Sequence, residues 1–241
     1  MLRRAWIYFA VASLAVIHCL WALPWLLVWP TRLRRARVAA DYARVFSRHV
    51  LAAAGVRIEL SGQEHFATRP AVILFNHVSN LDFFLNAAIC PPHALVFGKR
   101  ELVWVPLVGW LWWLGGHPLV QRGDRAQWQR VLDRVEAALR QDRAATYIAP
   151  EGTRSKDGQL GPFKKGAFVL ALRTGAPVVP VVLTGVRELH GPGAIHPGSV
   201  RIRVLPPIPT AGWTEAKLDA HIEEVRQVYL EALAPSSAPS A

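Results

Sequence analysis

The chain has 241 residues, of which 52% are hydrophobic, and it combines a formal net charge of +11 with only two cysteines, Cys19 and Cys90. This many apolar residues exclude an intrinsically disordered chain, and two distant cysteines exclude a small secreted scaffold held together by disulfides. The length suits one domain with its own core plus an appendage.

The first predicted element is an apolar segment from Ala5 to Pro30 that contains no Asp, Glu, Lys or Arg. As a helix rising roughly 1.5 Å per residue, Ala5–Trp29 would be about 37 Å long, enough to cross a hydrocarbon core of about 30 Å. A cleaved signal peptide would have a shorter apolar core, and a buried core helix would rarely be so uniformly apolar. The segment is therefore predicted to be a membrane anchor, either a span or a helix or bent hairpin, broken at Pro24, in one leaflet.

Most of the positive charge lies beside this segment. Residues 1–50 contain eight arginines and one acid, Asp41, so +7 of the +11 charge falls in the first fifth of the chain. Arginines next to an apolar run are typical of contact with anionic membrane lipid, and they argue against a nucleic-acid partner. The larger arginine cluster follows the segment, which favours the cytoplasmic face of the cell inner membrane for the rest of the chain.

Residues 32–53 are predicted to form a helix with two different faces. One face carries charged residues at spacings of three and four, namely Arg37, Asp41, Arg44 and Arg48. The other face carries Val38, Tyr42, Val45 and Phe46. Such a helix either lies at the membrane interface or packs as an ordinary surface helix on the domain that follows.

After Gly55, short β-rich runs alternate with helical patterns. Strands are predicted at 56–60, 71–75, 94–97, 118–120, 145–149, 178–183 and 200–205. Helices are predicted near 81–89, 105–114, 125–143, 163–174 and 215–233. The alternation predicts an α/β fold with a mostly parallel mixed sheet covered by helices, and with functional groups on loops at the carboxyl ends of strands. We expect an anchoring segment at 1–54, the main domain at 55–233 and a disordered tail at 234–241.

A second apolar stretch, Leu102–Leu114, carries four of the ten tryptophans. Its short length, together with Pro106 and Gly109, makes it a poor membrane span. It is either a buried helix or a face that lines a groove for apolar chains or enters the membrane interface, where tryptophan is favoured.

The first candidate for chemistry is the segment Asn76–Asp82, which directly follows a predicted strand. A turn at the start of the next helix could bring His77 and Asp82 together. The carboxylate would then accept a hydrogen bond from one ring nitrogen and leave the other free to take a proton, as in a general-base pair. The alternative is structural, because Ser79 and Asp82 also match a helix capping box.

The second candidate is the loop Pro150–Ser155, which follows another predicted strand. Arg154 has a planar guanidinium that suits a phosphate. Lys164 and Lys165 open the next helix, where backbone amides could join the same anion site. The alternative is a solvated turn with a surface arginine. The histidines are scattered and neither cysteine has a ligand-spaced partner, so no metal site is predicted.

Together and in this order, these motifs resemble those of a known family. NHVSNLD followed by PEGTRS is similar to the N-H-x-x-x-x-D and E-G-T-R motifs of the 1-acylglycerol-3-phosphate acyltransferase family. Three further segments resemble the family's second motif, its segment after E-G-T-R and its last motif: Gly98–Leu102 with Pro106 and Gly109–Trp110, Phe163–Gly166, and Ala176–Val181. The resemblance covers about residues 55–205.

The resemblance implies a mechanism and a set of site residues. His77, oriented by Asp82, would be the general base that deprotonates the hydroxyl of a lysolipid. That oxygen would attack the thioester of acyl-CoA or acyl-carrier protein, which is a co-substrate, so no cofactor is implied. The acceptor phosphate would bind Arg154, whose loop is shaped by Glu151, Gly152 and Thr153. Further acceptor-binding residues implied by the family are Lys99, Arg122, Lys164 and Lys165.

The resemblance thus implies a membrane-associated O-acyltransferase, with its acyltransferase domain at 55–233, that converts 1-acylglycerol-3-phosphate (lysophosphatidic acid) to phosphatidic acid in phospholipid biosynthesis. Two residues near the expected acceptor site depart from the family pattern: Ala149 stands where an aromatic residue is usual, and Gln121 where an acid is frequent. Another lysolipid acceptor, such as lyso-ornithine lipid, is therefore an alternative. Thioester hydrolysis and membrane binding without activity are further alternatives.

Overall fold

The computed structural model describes residues 32–234, except 93, 106, 107, 122, 156–158, 192 and 193, together with positions 13, 16, 17, 20, 21, 24 and 28. The predicted membrane anchor at 5–29 therefore falls largely outside the described residues, and so does nearly all of the predicted tail. Among the residues that are described, no helix combines the length and the apolar character needed to cross a bilayer.

A six-stranded sheet lies at the centre of the fold. The described residues form the strands β1 (Val56–Ser61), β2 (Ala71–Phe75), β3 (Ala94–Val96), β4 (Gly98–Lys99), β5 (Leu119–Val120), β6 (Ala145–Ile148), β7 (Val178–Thr184), β8 (His190–Gly191), β9 (Ala194–Ile195) and β10 (Gly198–Val204). The order in the central sheet is β1-β10-β7-β2-β6-β3. All neighbours in it are parallel except β10 and β7, so the sheet is mixed and mostly parallel, as predicted.

Helices cover both faces of this sheet. The α-helices of the described chain are α1 (Arg32–Ala54), α2 (Asp82–Ile89), α3 (Val108–Leu114), α4 (Arg125–Asp142), α5 (Lys165–Thr174) and α6 (Leu218–Leu233). Side chains of a strand alternate between faces, so in β2 Ile73 packs towards α1 and α2, whereas Val72 and Leu74 pack towards α4, α5 and α6. The α/β fold predicted from the alternating pattern is confirmed.

The helix α1 packs against the folded body. Tyr42, Phe46 and Val50 on one of its faces are buried. From the same helix, Arg44 and Arg48 donate hydrogen bonds to the carbonyl oxygens of Cys90 and Ala88, at 2.6 and 3.3 Å, where α2 ends. The last carbonyls of a helix have no partner inside it and carry partial negative charge, so the two arginines cap α2. The structure thus supports the alternative of a helix packed on the domain.

Two predictions for the middle of the chain need correction. The strand expected at 118–120 is only Leu119–Val120, and it pairs with β4 in a separate small sheet instead of joining the central one. Pro118 has no N–H with which to extend a ladder. The stretch Leu102–Leu114 is not one buried helix, because it divides between a 3-10 helix, Arg100–Trp104, and α3, of which only Gly109 and Leu111 are buried.

Candidate active site

The two motifs meet at one edge of the central sheet. The strands β2 and β6 are parallel neighbours, so the loops that follow them begin side by side. Two hydrogen bonds to the backbone of His77 join these loops. Its N–H donates to Glu151 Oε1 at 2.9 Å, and its carbonyl oxygen accepts from the N–H of Ser155 at 2.9 Å. The position of His77 is therefore fixed by both loops.

His77 and Asp82 form the hydrogen-bonded pair that their spacing allowed. The distance from His77 Nδ1 to Asp82 Oδ2 is 2.8 Å, and the Asp82 side chain is fully buried while that of His77 is 27% exposed. An ionised carboxylate only accepts hydrogen bonds, so Nδ1 carries the proton in this pair. The neutral ring then has its lone pair on Nε2, which is the nitrogen that can take a proton from a substrate.

The same carboxylate oxygen also orders the loop around the histidine. Asp82 Oδ2 accepts from the backbone N–H groups of Val78 and Ser79 at 2.6 and 2.7 Å. One half of the predicted capping box is thus formed, by the bond from the Ser79 N–H to Asp82, while the Ser79 hydroxyl accepts from the N–H of Leu81 within the loop. Asp82 therefore holds both the ring of His77 and the turn that carries it.

Glu151 holds the two loops together through its buried carboxylate. Its side chain is buried, with Oε1 accepting from the N–H of His77 and Oε2 from the N–H of Gly161 at 3.0 Å. Burial raises the pKa of this carboxyl, while the two N–H groups act in the opposite direction. Glu151 therefore bonds both to the backbone of His77 and to that of Gly161, which follows the loop of Arg154.

Two asparagines that were not singled out from the sequence also position the site. Asn76 is buried at the end of β2, and its amide exchanges hydrogen bonds with the N–H and carbonyl of Leu183, which extends the β2–β7 ladder. Asn80 Oδ1 accepts from Arg154 Nη1 at 2.6 Å. Both lie inside the NHVSNLD motif, so the motif was the available signal, but their partners are far away in sequence.

A cavity of about 950 Å³ opens beside the histidine. Its walls come from the helices α1 to α5 and the strand ends, and its apolar lining includes Ala39, Phe46, Phe83, Leu111, Trp112 and Trp128. The cations among its described lining residues are Lys99, Arg125, Arg154 and Lys164. The acids are Asp82, which binds His77, Glu101, and Asp124, which caps α4 through the N–H of Gln127. The cavity therefore joins a largely apolar interior to a mouth that carries cations.

The structure brings most of the predicted binding residues to this place. Lys99, Gly152, Arg154 and Lys164 line the large cavity. Glu151 and Thr153 line a smaller cavity of about 430 Å³, which Arg154 and Lys164 border as well. Gly152 has a φ of 65°, and a Cβ there would lie 3.0 Å from Lys164 Nζ, so glycine lets this lysine lie across the loop.

One of the predicted binding residues, Lys165, is not brought to the cavity. Lys165 pairs with Asp219 on the surface, Nζ to Oδ1 at 2.7 Å, and borders neither cavity, because the adjacent positions of a helix start point in different directions. Arg122 lies outside the described residues. Both positions that depart from the family pattern, Gln121 and Ala149, line the large cavity.

His117 is a further lining residue that the sequence did not reveal. It is buried, and its Nδ1 accepts a hydrogen bond from the N–H of Val96 at 3.3 Å. Burial lowers its pKa to about 4, so the ring is neutral at physiological pH. Its ring lies 5.3 Å from that of Trp112, which stacks on Phe83 next to Asp82.

In the part of the chain that the structure describes, no three His, Cys, Asp or Glu side chains are grouped to hold a metal.

Comparisons with known proteins show the family to which the chain is similar. The model of the Acyltransferase family matches residues 57–184. A 1-acyl-sn-glycerol-3-phosphate acyltransferase of Limnanthes douglasii is 31% identical over 238 residues, covering 98% of this chain and 84% of that protein. The enzyme of that name from Saccharomyces cerevisiae is 34% identical over 195 residues, covering 79% and 64%. The crystal structure of the 1-acyl-sn-glycerophosphate acyltransferase PlsC from Thermotoga maritima has the same fold, with a TM-score of 0.76, 23% identity and 97% of each chain covered.

Proposed function

The chain belongs to the acyltransferase family that includes the 1-acyl-sn-glycerol-3-phosphate acyltransferases, and from this premise we propose that it acylates 1-acylglycerol-3-phosphate to give phosphatidic acid. The observation that carries the proposal is the His77–Asp82 pair, which borders an apolar cavity of about 950 Å³ whose mouth holds Arg154 and Lys164. This reaction needs a base, an apolar space large enough for a fatty chain, and a site for the phosphate anion.

The acyl transfer follows from the protonation state of the pair. Nε2 of His77 takes the proton from the free hydroxyl of the acceptor, and that oxygen forms a bond with the carbonyl carbon of the thioester. The bond between this carbon and sulfur then breaks, and the thiolate leaves with the proton that His77 received. Asp82 stabilises the positively charged ring between these two proton transfers. No acyl-enzyme is formed.

Charge and shape assign the two ends of the substrates. The guanidinium of Arg154, held by Asn80, and the ammonium of Lys164 would bind the acceptor phosphate, with Lys99 on the same mouth. The fatty chain would occupy the apolar interior. Acyl-CoA and acyl-carrier protein both present a thioester on a flexible pantetheine arm, and either would serve as donor.

The same proposal places the protein at a membrane, with the acyltransferase domain on the cytoplasmic face of the cell inner membrane. Its support is the sequence pattern, in which an uninterrupted apolar segment, Ala5–Pro30, is followed by a cluster of arginines. Both the acceptor and the product are lipids, so a site at the bilayer surface can exchange them without exposing their chains to water.

An acceptor panel tests the proposal. Purified protein is incubated with radiolabelled acyl-CoA or acyl-carrier protein and, separately, with lysophosphatidic acid, lyso-ornithine lipid and no acceptor. We expect labelled phosphatidic acid from the first acceptor only. If only lyso-ornithine lipid gave a labelled product, it would replace lysophosphatidic acid as the proposed acceptor. Free fatty acid released without any acceptor would indicate a thioester hydrolase.

A further inference from the structure

Three large aromatic side chains stand out from the surface beside the cavity. The side chains of Trp104, Trp110 and Trp113 are 82%, 54% and 64% exposed, and the three residues lie within a stretch of ten. Tryptophan is usually among the more buried residues of a soluble domain, so such a group indicates a surface made for contact. We name these three residues the tryptophan patch.

The patch is held on a compact support. It belongs to the 3-10 helix Arg100–Trp104 and to α3, which pack directly on each other. A Cβ at Gly109 would lie 2.0 Å from the carbonyl oxygen of Leu102, so this close approach requires glycine. From its inner side, α3 packs through buried Leu111 on Ala39 and Tyr42 of α1. The tryptophans are therefore presented by packed elements.

The other face of the same support lines the catalytic cavity. Leu102, Val105, Val108 and Trp112 are lining residues, and they alternate along the chain with the members of the patch, none of which lines the cavity. Three exposed charged residues, Lys99, Arg100 and Glu101, precede the patch and leave an excess of positive charge beside it. One short stretch of chain thus combines exposed tryptophans, adjacent cations and a wall of the cavity.

We propose that the tryptophan patch is a membrane-docking surface, which inserts into the headgroup region of an anionic bilayer and sets the cavity mouth against the leaflet that supplies the acceptor. This inference rests on the proposed function, since it concerns how a lipid reaches the site. Indole rings favour the interface because one end is apolar and the N–H can bond to water or headgroups. The neighbouring cations attract anionic lipid, which favours a bilayer over a protein as the partner.

The experiment compares two acceptors in the full-length protein. One is long-chain lysophosphatidic acid in vesicles of phosphatidylcholine and phosphatidylglycerol, and the other is a short-chain lysophosphatidic acid dissolved as monomers. Trp104, Trp110 and Trp113 are replaced together by Ser. We expect the vesicle concentration for half-maximal rate to rise roughly tenfold or more, which equals a loss of about 1.4 kcal/mol or more of binding. The rate with the soluble acceptor should stay within about twofold, since the patch lies outside the cavity.

A matched control and a second measurement complete the test. Val45→Ser removes another exposed apolar side chain, on α1 and outside the cavity, and should change neither rate. In a variant with the three tryptophans changed to Phe, which keeps apolar character, quenching of tryptophan fluorescence by brominated phosphatidylcholine should decrease.

Each result has a defined meaning. Equal vesicle dependence of the Ser variant and the wild type, or unchanged quenching in the Phe variant, would overturn the docking surface while leaving acyl transfer intact. A wild type that is dimeric in solution, with a monomeric Ser variant, would make a second copy of the chain the occupant and would also overturn it. A wild type inactive on both acceptors would refute the proposed function itself.

Discussion

At the residue scale, a single carboxylate oxygen organises the site. Asp82 Oδ2 accepts from the ring of His77 and from two consecutive backbone N–H groups of the loop that carries the ring. Three N–H donors on one buried oxygen fix the position of the carboxylate. Because this oxygen accepts from Nδ1, the proton of the neutral ring lies on Nδ1 and the lone pair on Nε2, which is what the transfer requires.

Removal of either member of the pair should therefore stop the chemistry without unfolding the protein. His77→Ala should lower kcat by roughly 10²–10⁴, the usual contribution of a positioned base, and Asp82→Asn should lower it by a similar order. Phosphatidic acid formation at saturating substrates measures the effect. His65→Ala, at a histidine that does not line the cavity, is the matched control. Activity that survives in both His77 and Asp82 variants would rule out the base.

Glu151 acts on the same histidine through the backbone. In Glu151→Gln, one oxygen acceptor becomes an N–H₂ donor, so the N–H of either His77 or Gly161 loses its partner. An unpaired buried donor costs about 1–3 kcal/mol, and relaxation of the loop should displace His77. We expect kcat to fall roughly tenfold or more with the KM for lysophosphatidic acid nearly constant, whereas exposed Glu64→Gln should have no effect. A raised KM with unchanged kcat would mean that Glu151 contacts the acceptor.

His117 predicts a specific dependence of stability on pH. Burial lowers its pKa from the usual 6.5 to about 4, so between these values the unfolded chain binds a proton that the folded chain does not. The free energy of unfolding therefore falls on acidification, by roughly 2 kcal/mol between pH 7 and pH 5 from this group. Asn can place an oxygen near the position of Nδ1 and does not titrate. The free energy of unfolding, measured with denaturant, falls between pH 7 and pH 5. This fall should be smaller in His117→Asn than in the wild type by roughly 2 kcal/mol, and an equal fall in both proteins would contradict the assignment.

At the element scale, α1 and α2 are joined by charge as well as by packing. Arg44 bonds Asp41 at 2.8 Å and the carbonyl of Cys90 at 2.6 Å, while Arg48 bonds the carbonyl of Ala88. These bonds join α1 to the end of the helix that begins with Asp82.

A substitution at this junction should cost stability. Arg44→Met keeps the apolar stem but removes the donor, leaving the carbonyl at the end of α2 unpaired. We expect the free energy of unfolding to fall by about 1–2 kcal/mol, measured by chemical denaturation. The side chain of Arg37 is 58% exposed and makes a looser pair with Asp41. Arg37→Met should therefore change the free energy of unfolding by less than about 0.5 kcal/mol. Equal effects of the two substitutions would show that the cap is not needed.

The sequence predicted elements better than it predicted contacts between them. Helix and strand patterns are local, and the bounds of α1, α2, α4 and β2 agree with the observed ones within one or two residues. The reversed direction of β1 and β10 was not predicted, because direction is decided by which strands pair. The bonds from Arg44 to the carbonyl of Cys90 and from the N–H of His77 to Glu151 join residues 46 and 74 positions apart, which no local pattern encodes. The paired residues of the site were proposed from motifs, but the cavity and its walls, including His117, required the fold.

At the scale of the whole molecule, the cavity is assembled from most of the chain. Its lining includes Ala39 near the start of α1, His77 after β2, Trp128 on α4 and Ala167 on α5. Of these residues, Ala39, Trp128 and Ala167 also belong to, or border, packed apolar clusters. A ligand that fills this space should therefore stabilise the fold as a unit, since it binds only the assembled form.

This coupling gives the last prediction. A thioether analogue of long-chain acyl-CoA, which cannot transfer its chain, stabilises the protein by about 2.7 kcal/mol at a hundredfold excess over its Kd. For a chain of this size, the melting temperature should rise by about 5–10 °C. CoA without a chain, at the same concentration, should give a clearly smaller rise because it leaves the apolar interior empty and therefore binds more weakly. Ala43→Phe adds bulk to the wall that α1 contributes, so it should reduce the rise with the acyl analogue and leave that with CoA unchanged. Differential scanning fluorimetry measures all four values. Equal rises with and without the chain would place the acyl group elsewhere, since only a chain inside the cavity contacts α1, α4 and α5 at once.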